Sequence, residues 1–261
     1  MIDSHCHLTD RRLAPRVAEV LSAAAAAGVT HCVSIGTTPS DAADAQTLAH
    51  AHPGLLFSAG IHPNSTAPFA PEDVRELQPF SADPACVALG EMGLDYHWKD
   101  VSPAHQKLLF QAQLRLATDL EMPVIVHCRE AVADTLEILS QFPSVRAVFH
   151  CFTGTSEEAA RIAARGYSLG FTGPLTFKKN DWLREIVAAL PADRILIETD
   201  APYMTPEPFR SVKVNEPRYV PLVLETLAKA RNITIAQADQ LTSDNTRRLY
   251  RWPTTPPPGI V

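Results

Sequence analysis

The run PVIVH at residues 123–127 is short, apolar and rich in β-branched residues, and it ends in a histidine. Such a run predicts a strand that is buried on both faces, as in a parallel sheet covered by helices. The residues before it predict a helix, because Ser102 can cap a segment that begins at Pro103 and stays helical to about Glu121. A helix that leads into a buried strand is the repeating unit of an α/β protein.

The same unit recurs along the chain. Helical patterns also cover residues 16–27, which Gly28 can end in a left-handed conformation, and residues 156–166, where Ser156, Glu157 and Glu158 favour a helix start. Eight β-rich runs alternate with such patterns, at residues 1–6, 30–35, 55–61, 86–89, 123–127, 147–150, 167–171 and 194–197. Eight repeats in one chain favour a closed (β/α)8 TIM barrel over an open sheet.

The repeats predict one α/β domain over residues 1–251, because no linker composition interrupts them. Residues 252–261 are rich in proline and follow the last helical pattern. We therefore expect them to form a loose C-terminal tail rather than part of the core.

Net charge, cysteine content and hydrophobicity exclude several classes of protein. The formal net charge of −6 argues against a protein that coats nucleic acid by bulk electrostatics, although an enzyme with a local basic mouth remains compatible with it. The five cysteines are scattered and form no CxxC pair, which indicates reduced thiols. No apolar run is long enough for a membrane helix, and the first residues lack the features of a signal peptide, so we expect a cytoplasmic protein.

Ionisable residues lie at the predicted C-terminal ends of the strands, where the loops of a TIM barrel build the active site. His5 and His7 are two positions apart, so both rings project from one face of the first strand and can chelate one ion. Four other strand ends carry Glu91, His127, His150 and Asp200. Six such ligands suit two divalent cations that share a carboxylate. The histidines on predicted helices, loops or strand starts are not expected to be ligands: His31, His50, His52, His97 and His105.

Four further residues near these ends are candidates. His62 follows the third strand and is predicted to contact substrate, with support of a metal ligand as the alternative. Arg129 can bind a phosphate through two guanidinium nitrogens or pair with a nearby acid. Glu198, on the last strand, is predicted to orient the metal site from below, with a buried salt bridge as the alternative. Tyr203 lies among basic and aromatic residues of the last loops, where nucleic-acid bases could stack.

The order of these motifs resembles the TatD family of metal-dependent deoxyribonucleases, within the amidohydrolase-like barrels. The matching blocks are DSHCHL at residues 3–8, GIHP at 60–63, GEMGLDY at 90–96, PVIVHCR at 123–129, HCFTG at 150–154, ETDAPY at 198–203 and NEP at 215–217. The resemblance implies that one cation is held by His5, His7 and Asp200. It implies that His127 and His150 hold the second cation and that Glu91 bridges the two.

The residues and the resemblance together predict a metal-dependent hydrolase, namely a deoxyribonuclease of the 3′-5′ exonuclease type that acts on single-stranded or frayed DNA. Two cations (Mg²⁺, Mn²⁺ or Zn²⁺) would lower the pKa of a water molecule and stabilise the charge that develops on the phosphate. Asp200 and Glu91 are the predicted catalytic residues, and Asp200 would accept the proton of that water. A role in DNA repair is expected, and no membrane or obligate protein partner is.

Two alternatives remain open. The first is a metal-dependent hydrolase of a small amide, ester or lactone, because the same barrel and metals serve carbonyl chemistry. The presence of Glu91 where such enzymes are expected to have a bridging lysine favours phosphoryl substrates. The second alternative is a binding module without catalytic activity.

Overall fold

The computed structural model describes residues 1–253 and 259–260. Within them, eight parallel strands form one sheet in chain order. The strands are β1 Ile2–Cys6, β2 His31–Ile35, β3 Leu55–Ala59, β4 Cys86–Asp95, β5 Val124–Arg129, β6 Ala147–Phe149, β7 Ser168–Phe171 and β8 Ile195–Ile197. The predicted (β/α)8 TIM barrel is thereby confirmed.

The sheet closes where β1 meets the segment that follows β8. Cys6 bridges Ala201, and the amide of Asp200 donates to the carbonyl of His5 at 2.9 Å. Two residues before His5 on β1, the buried carboxylate of Asp3 accepts hydrogen bonds from the amide of Thr199 at 2.9 Å and from its hydroxyl at 2.6 Å. Polar contacts between the two ends of the sheet thus complete the barrel.

Helices cover the outside of the sheet. In the described part of the chain the α-helices are α1 Val17–Ala26, α2 Pro39–Ala51, α3 Pro103–Asp119, α4 Val132–Leu139, α5 Ser156–Ala164, α6 Asp181–Ala189, α7 Val220–Arg231 and α8 Ile235–Leu249. Two predicted helix ends agree with the structure: Ser102 caps α3 by accepting from the amide of His105, and Gly28, just after α1, has a φ of 84°. The cap of α5 is Thr155, one residue before the predicted start, because its hydroxyl and Glu158 form a reciprocal capping box.

The connection between β3 and β4 differs from the predicted α-helical pattern. Pro71–Ala82 forms a 3-10 helix, with Pro79 inside it. Proline has no amide hydrogen and its ring clashes with the carbonyl four residues earlier, so it disfavours a regular α-helix at this place. The crossover still packs on α3 and β4 and keeps the barrel order.

Apolar side chains fill the barrel below its mouth. Val33, Leu56, Ile125 and Leu196 come from four different strands and lie in one buried cluster. Tyr250, which follows α8, belongs to the same cluster, and its hydroxyl donates to the carbonyl of Ser4 at 3.1 Å. The floor of the barrel is therefore largely apolar, and the polar residues at the strand ends lie above it.

Strand β4 is longer than the sequence predicted, since it continues from Leu89 to Asp95. Glu91 consequently lies inside the strand and not after it, which corrects the prediction. The extension pairs with β5, with Gly93 opposite His127. Gly93 has a φ of 141°, and a Cβ atom built there would lie 2.1 Å from the carbonyl oxygen of His127. Only glycine lets the two strands approach this closely.

The expected loose tail falls partly outside the described residues, because 254–258 and 261 are not among them. The described part of the tail contacts the barrel. Trp252 packs edge-on against His31 at a ring-centroid distance of 5.4 Å, and the amide of Ile260 donates to the carbonyl of Thr30 at 2.9 Å. The prediction of a loose segment was wrong for these two residues, which cover apolar surface at the bottom of the barrel.

Among the described residues, no helix has the length and apolar character that crossing a membrane requires.

Candidate metal centre

The six predicted ligands meet at the C-terminal mouth of the barrel. Strands β1, β4 and β5 carry His5, Glu91 and His127, and the other three ligands, His7, His150 and Asp200, lie just beyond β1, β6 and β8. Parallel strands end at the same rim, so residues that are far apart in sequence become neighbours there. The side chains form groups that could hold metal ions, among them His5 with His7 and Asp200, and His5 with Glu91 and His150.

The first group faces one carboxylate oxygen. Nε2 of His5 and Nε2 of His7 are 3.2 Å apart, and they lie 3.7 and 3.4 Å from Oδ1 of Asp200. Burial and the nearby His150 lower the pKa of His5 to about 3, so its ring is neutral at pH 7. A neutral imidazole has the free electron pair that a metal ion requires.

The second group contains His127 and His150. Nδ1 of His127 lies 3.2 Å from Nε2 of His150, and both nitrogens contact Oε1 of Glu91, at 2.7 and 2.6 Å. The other oxygen of Glu91 is 3.6 Å from His5 and 3.7 Å from His7. Glu91 therefore faces one histidine pair with each carboxylate oxygen.

The charge of Glu91 depends on its neighbours. Burial alone would raise its pKa, but His150, His62 and His127 hold the pKa well below its usual range. The ionised carboxylate and the paired imidazoles are ligands that Zn²⁺ and Mn²⁺ accept. The nitrogen separation of 3.2 Å in each pair also fits two donors on one ion, which are about 3.3 Å apart in a tetrahedral site with bonds of about 2.0–2.1 Å.

Asp95 is a residue of this site that the sequence analysis missed. Its Oδ2 accepts from Nε2 of His127 at 3.0 Å and from the side-chain amide of Asn64 at 3.1 Å, and its Oδ1 accepts from the amides of His97 and Trp98. A hydrogen of the His127 ring is thereby held on Nε2, so Nδ1, which lies beside Glu91 and His150, is the nitrogen that would face a cation. The signal was present, since residues 91, 93 and 95 alternate on one face of β4.

Replacing Asp95 with asparagine is expected to weaken the binding of the second cation roughly 10- to 100-fold and to change the first much less. All four groups around Asp95 donate, so no orientation of an amide can accept from all of them. Metal content after graded exposure to a chelator measures the effect. Asp134→Asn is the control, because that carboxylate contacts Tyr96 and Lys107 outside the cluster. Equal loss of both cations would contradict this role.

His62 reaches the same cluster from the loop after β3. Its Nδ1 accepts from the amide of Asn64 at 3.1 Å, so in the neutral ring the hydrogen is on Nε2. Nε2 lies 3.4 Å from Oε1 of Glu91 and 3.3 Å from Nδ1 of His127. Although His62, Glu91 and His127 also form a group that could hold an ion, this hydrogen-bond pattern makes His62 a donor rather than a ligand.

Glu198 lies below the ligands and is fully buried. Its Oε1 accepts from the amide of Cys151 at 2.6 Å and is 3.8 Å from Nδ1 of His150, too far for a hydrogen bond. Burial raises the pKa of Glu198 to about 8. The side chain thus holds the backbone that follows His150, and its contact with the ring itself is only electrostatic.

The ligands open into a cavity of about 590 Å³. His62, Arg129 and Tyr203 line it, as does Trp98, which sequence reasoning did not single out. The basic residues of the last loops, among which the sequence places Tyr203, do not line the cavity: Lys178, Lys179, Arg210, Lys213 and Arg218. Of these, Arg218 forms a salt bridge with Glu216 at 3.0 Å, and Arg210 lies over the ring of Phe177.

The chain is similar in sequence to proteins of one known family. The sequence model described as TatD related DNase matches residues 2–251. The chain belongs to this family. Among its relatives, the uncharacterized metal-dependent hydrolase YabD of Bacillus subtilis is 37% identical over 254 residues, which cover 96% of this chain and 99% of YabD. The 3′-5′ ssDNA/RNA exonuclease TatD of Erwinia billingiae is 36% identical over 260 residues, which cover 97% of this chain and all of that protein.

Solved structures agree with the TatD assignment. The structure of YJJV, a TatD homologue from Escherichia coli K12, superimposes with a TM-score of 0.90 at 29% identity and covers 97% of this chain and 98% of its own. An organophosphorus hydrolase from Deinococcus radiodurans, at a TM-score of 0.67 and 17% identity over 95% of this chain and 91% of its own, shares the fold. Family and relatives class the chain among metal-dependent hydrolases.

Proposed function

We propose that this TatD-family protein is a deoxyribonuclease that uses two divalent cations to remove nucleotides from the 3′ ends of single-stranded or frayed DNA. The observation that carries the proposal is the position of Glu91, whose two oxygens each face one pair of histidines. The nuclease activity and its polarity are taken from relatives named as 3′-5′ exonucleases. A cytoplasmic location and a role in DNA repair remain predictions.

The residues divide between the two cations. His5, His7 and Asp200 would hold the first, His127 and His150 the second, and Glu91 would contact both. When bound, Mg²⁺, Mn²⁺ or Zn²⁺ would supply Lewis acidity toward the phosphate and a lowered pKa of water. The protein contributes rigid ligands, because the buried hydrogen bonds of Asp95 and the apolar floor of the barrel fix their orientation.

Asp200 is the proposed acceptor of the proton that the attacking water loses. Burial raises its pKa, but the hydrogen bond with His7 and the nearby His5 and His150 hold the pKa below the usual range. The carboxylate is therefore ionised and able to take up a proton beside the cluster. From there the proton can pass to the leaving oxygen as the phosphodiester bond breaks.

Asp200→Asn is expected to lower kcat by about 10²- to 10⁴-fold, since an amide cannot accept the proton. Single-turnover cleavage at saturating cation concentration measures this loss without confusing it with weaker metal binding. Asp193→Asn is the matched control, because Asp193 is exposed and pairs with Arg194 away from the mouth. Substantial remaining turnover in the Asp200 variant would rule out the role.

The proposed substrate contacts surround the cations. His62 would donate its Nε2 hydrogen to a phosphate oxygen, and Arg129 would bind a phosphate through its guanidinium group. Tyr203, whose ring centroid is 6.1 Å from that of His7, would contact a base or sugar near the first cation. These contacts support recognition of a strand end and carry no sequence preference of their own.

The decisive experiment incubates metal-loaded protein with end-labelled single-stranded DNA and resolves the products by length. Release of mononucleotides from the 3′ end, abolished by chelator and by the His127→Ala/His150→Ala double variant, is the expected result. Release from the 5′ end would keep the nuclease and reverse its polarity. If DNA survives with Mg²⁺, Mn²⁺ and Zn²⁺ alike, a hydrolase of a small ester, amide or lactone becomes the better assignment.

A further inference from the structure

Two exposed aromatic side chains border the cavity that holds the candidate ligands. Trp98 and Tyr203 are 52% and 47% exposed, and both line the cavity. Trp98 follows β4, and Tyr203 follows β8. Because these strands are four places apart in an eight-stranded barrel, the two residues lie on opposite sides of its mouth.

Each aromatic ring has an arginine beside it. Cζ of Arg12 is 4.6 Å from the ring centroid of Tyr203, and Cζ of Arg129 is 5.9 Å from that of Trp98. Two hydrogen bonds to Asp10 fix Arg12. Arg129 has no carboxylate within salt-bridge distance in the described part of the chain. Each side of the mouth thus combines a flat ring with a guanidinium group, the pair that recognises a base and its phosphate.

The remaining wall of the cavity is acidic. One arginine, Arg129, lines it, against five carboxyl side chains: Asp10, Asp41, Glu91, Asp95 and Asp200. Side-chain charge attracts a polyanion weakly in such a cavity, so contacts with uncharged parts of the nucleotide would add to the affinity that the cations supply. Stacking on an exposed ring is a contact of this kind and requires no particular base.

We propose that Trp98 and Tyr203 are stacking platforms for the two bases on either side of the scissile phosphate. This inference rests on the proposed function and adds the residues that would hold the two bases. A base in a duplex is stacked on its neighbours and cannot turn toward a ring across the cavity, so the two platforms select an unpaired strand. The candidate cation ligands lie between them, where the phosphate that joins the two nucleotides would be held.

Cleavage of a short oligothymidylate tests the proposal, with a tetrahydrofuran abasic residue at the terminal or the penultimate position. In the wild type, each abasic residue should lower kcat/KM roughly 5- to 150-fold. Trp98→Ala should lower kcat/KM on the intact oligonucleotide by a similar factor and become insensitive to one abasic position. Tyr203→Ala should become insensitive to the other position. Trp98→Phe should retain most of the activity because it keeps an aromatic face.

Trp182→Ala is the matched control, because Trp182 is 37% exposed but does not line the cavity. It should behave as the wild type on all three oligonucleotides. If Trp98→Ala instead keeps the full wild-type sensitivity to both abasic residues, Trp98 holds no base and the proposal is overturned, whereas the nuclease assignment stands.

A binding measurement separates this proposal from the activity. Phosphorothioate oligothymidylate should quench the tryptophan emission of the metal-loaded wild type and of Trp182→Phe, and it should not quench that of Trp98→Phe. Quenching without hydrolysis of any DNA would support the platforms and contradict the nuclease. Quenching that persists in Trp98→Phe would overturn the platform at Trp98, whether or not the protein cleaves DNA.

Discussion

Replacing Glu91 with glutamine is expected to abolish hydrolysis, with a loss of kcat/KM of about 10³-fold or more. The carboxylate contacts His127 and His150 with one oxygen and faces His5 and His7 with the other. An amide has one oxygen and no charge, so it cannot serve two cations, and the several kcal/mol that they contribute to the transition state would be lost.

Metal content and activity should be measured on the same Glu91→Gln sample. We expect fewer than two cations per chain at a concentration that saturates the wild type. Glu130→Gln is the control, because Glu130 follows β5 but is exposed and contacts His97 outside the cluster. Two tightly bound cations and near-normal turnover in Glu91→Gln would show that Glu91 does not bridge them.

Gly93→Ala is expected to lower the free energy of unfolding by about 3 kcal/mol or more. Its φ of 141° is a conformation that L-residues rarely adopt, and the added Cβ would lie 2.1 Å from the carbonyl oxygen of His127. The strands β4 and β5 would have to separate at the position of two candidate ligands. Thermal unfolding should show a fall in Tm of about 6 °C or more for a chain of this size.

Gly166→Ala separates the cost of the positive φ from the cost of the steric clash, which both contribute to the loss of stability in Gly93→Ala. Gly166 also has a positive φ, of 82°, but nothing lies within 4 Å of the added Cβ. Its cost should be about 1–2 kcal/mol, from backbone strain alone. The thermal unfolding of both variants should be measured in the presence of chelator, because bound cations would stabilise the native state by mass action. Equal Tm values for the two would refute the steric argument at Gly93.

The barrel could be predicted because its signals are local. The apolar composition of runs such as residues 123–127 indicates by itself that they are buried. Ser102 and Gly28 likewise indicate helix ends, because serine caps a helix start and glycine adopts a left-handed conformation after a helix end. The 3-10 form of the third crossover was not predicted, because the sequence indicated only that helical segments alternate with the strands, and Pro79 disfavours a regular α-helix there. The contact of Ile260 with Thr30 depends on the completed fold, and composition does not report it.

The candidate site was predictable to a similar degree. His5 and His7 share a face by spacing alone, and the ends of parallel strands meet wherever a barrel forms. Asp95 was missed because the predicted fourth strand ended at residue 89, whereas Gly93 allows the strand to continue beside β5. Trp98 was missed because a single exposed aromatic residue has no pattern. Its significance comes from Tyr203 on the opposite side of the mouth.

The hydrogen bonds between Asp3 and Thr199 have a consequence for the synthesis of the protein. These residues are 196 positions apart, and His5 and His7 come close to Asp200 only when the two ends of the sheet meet. At about 5–20 residues per second on the ribosome, the first strand is made many seconds before its partner. During that time the nascent chain contains His5 and His7 but not Asp200. A nascent polypeptide that ends before Asp200 lacks one complete set of cation ligands, so hydrolysis can begin only after the last strand of the barrel has been made.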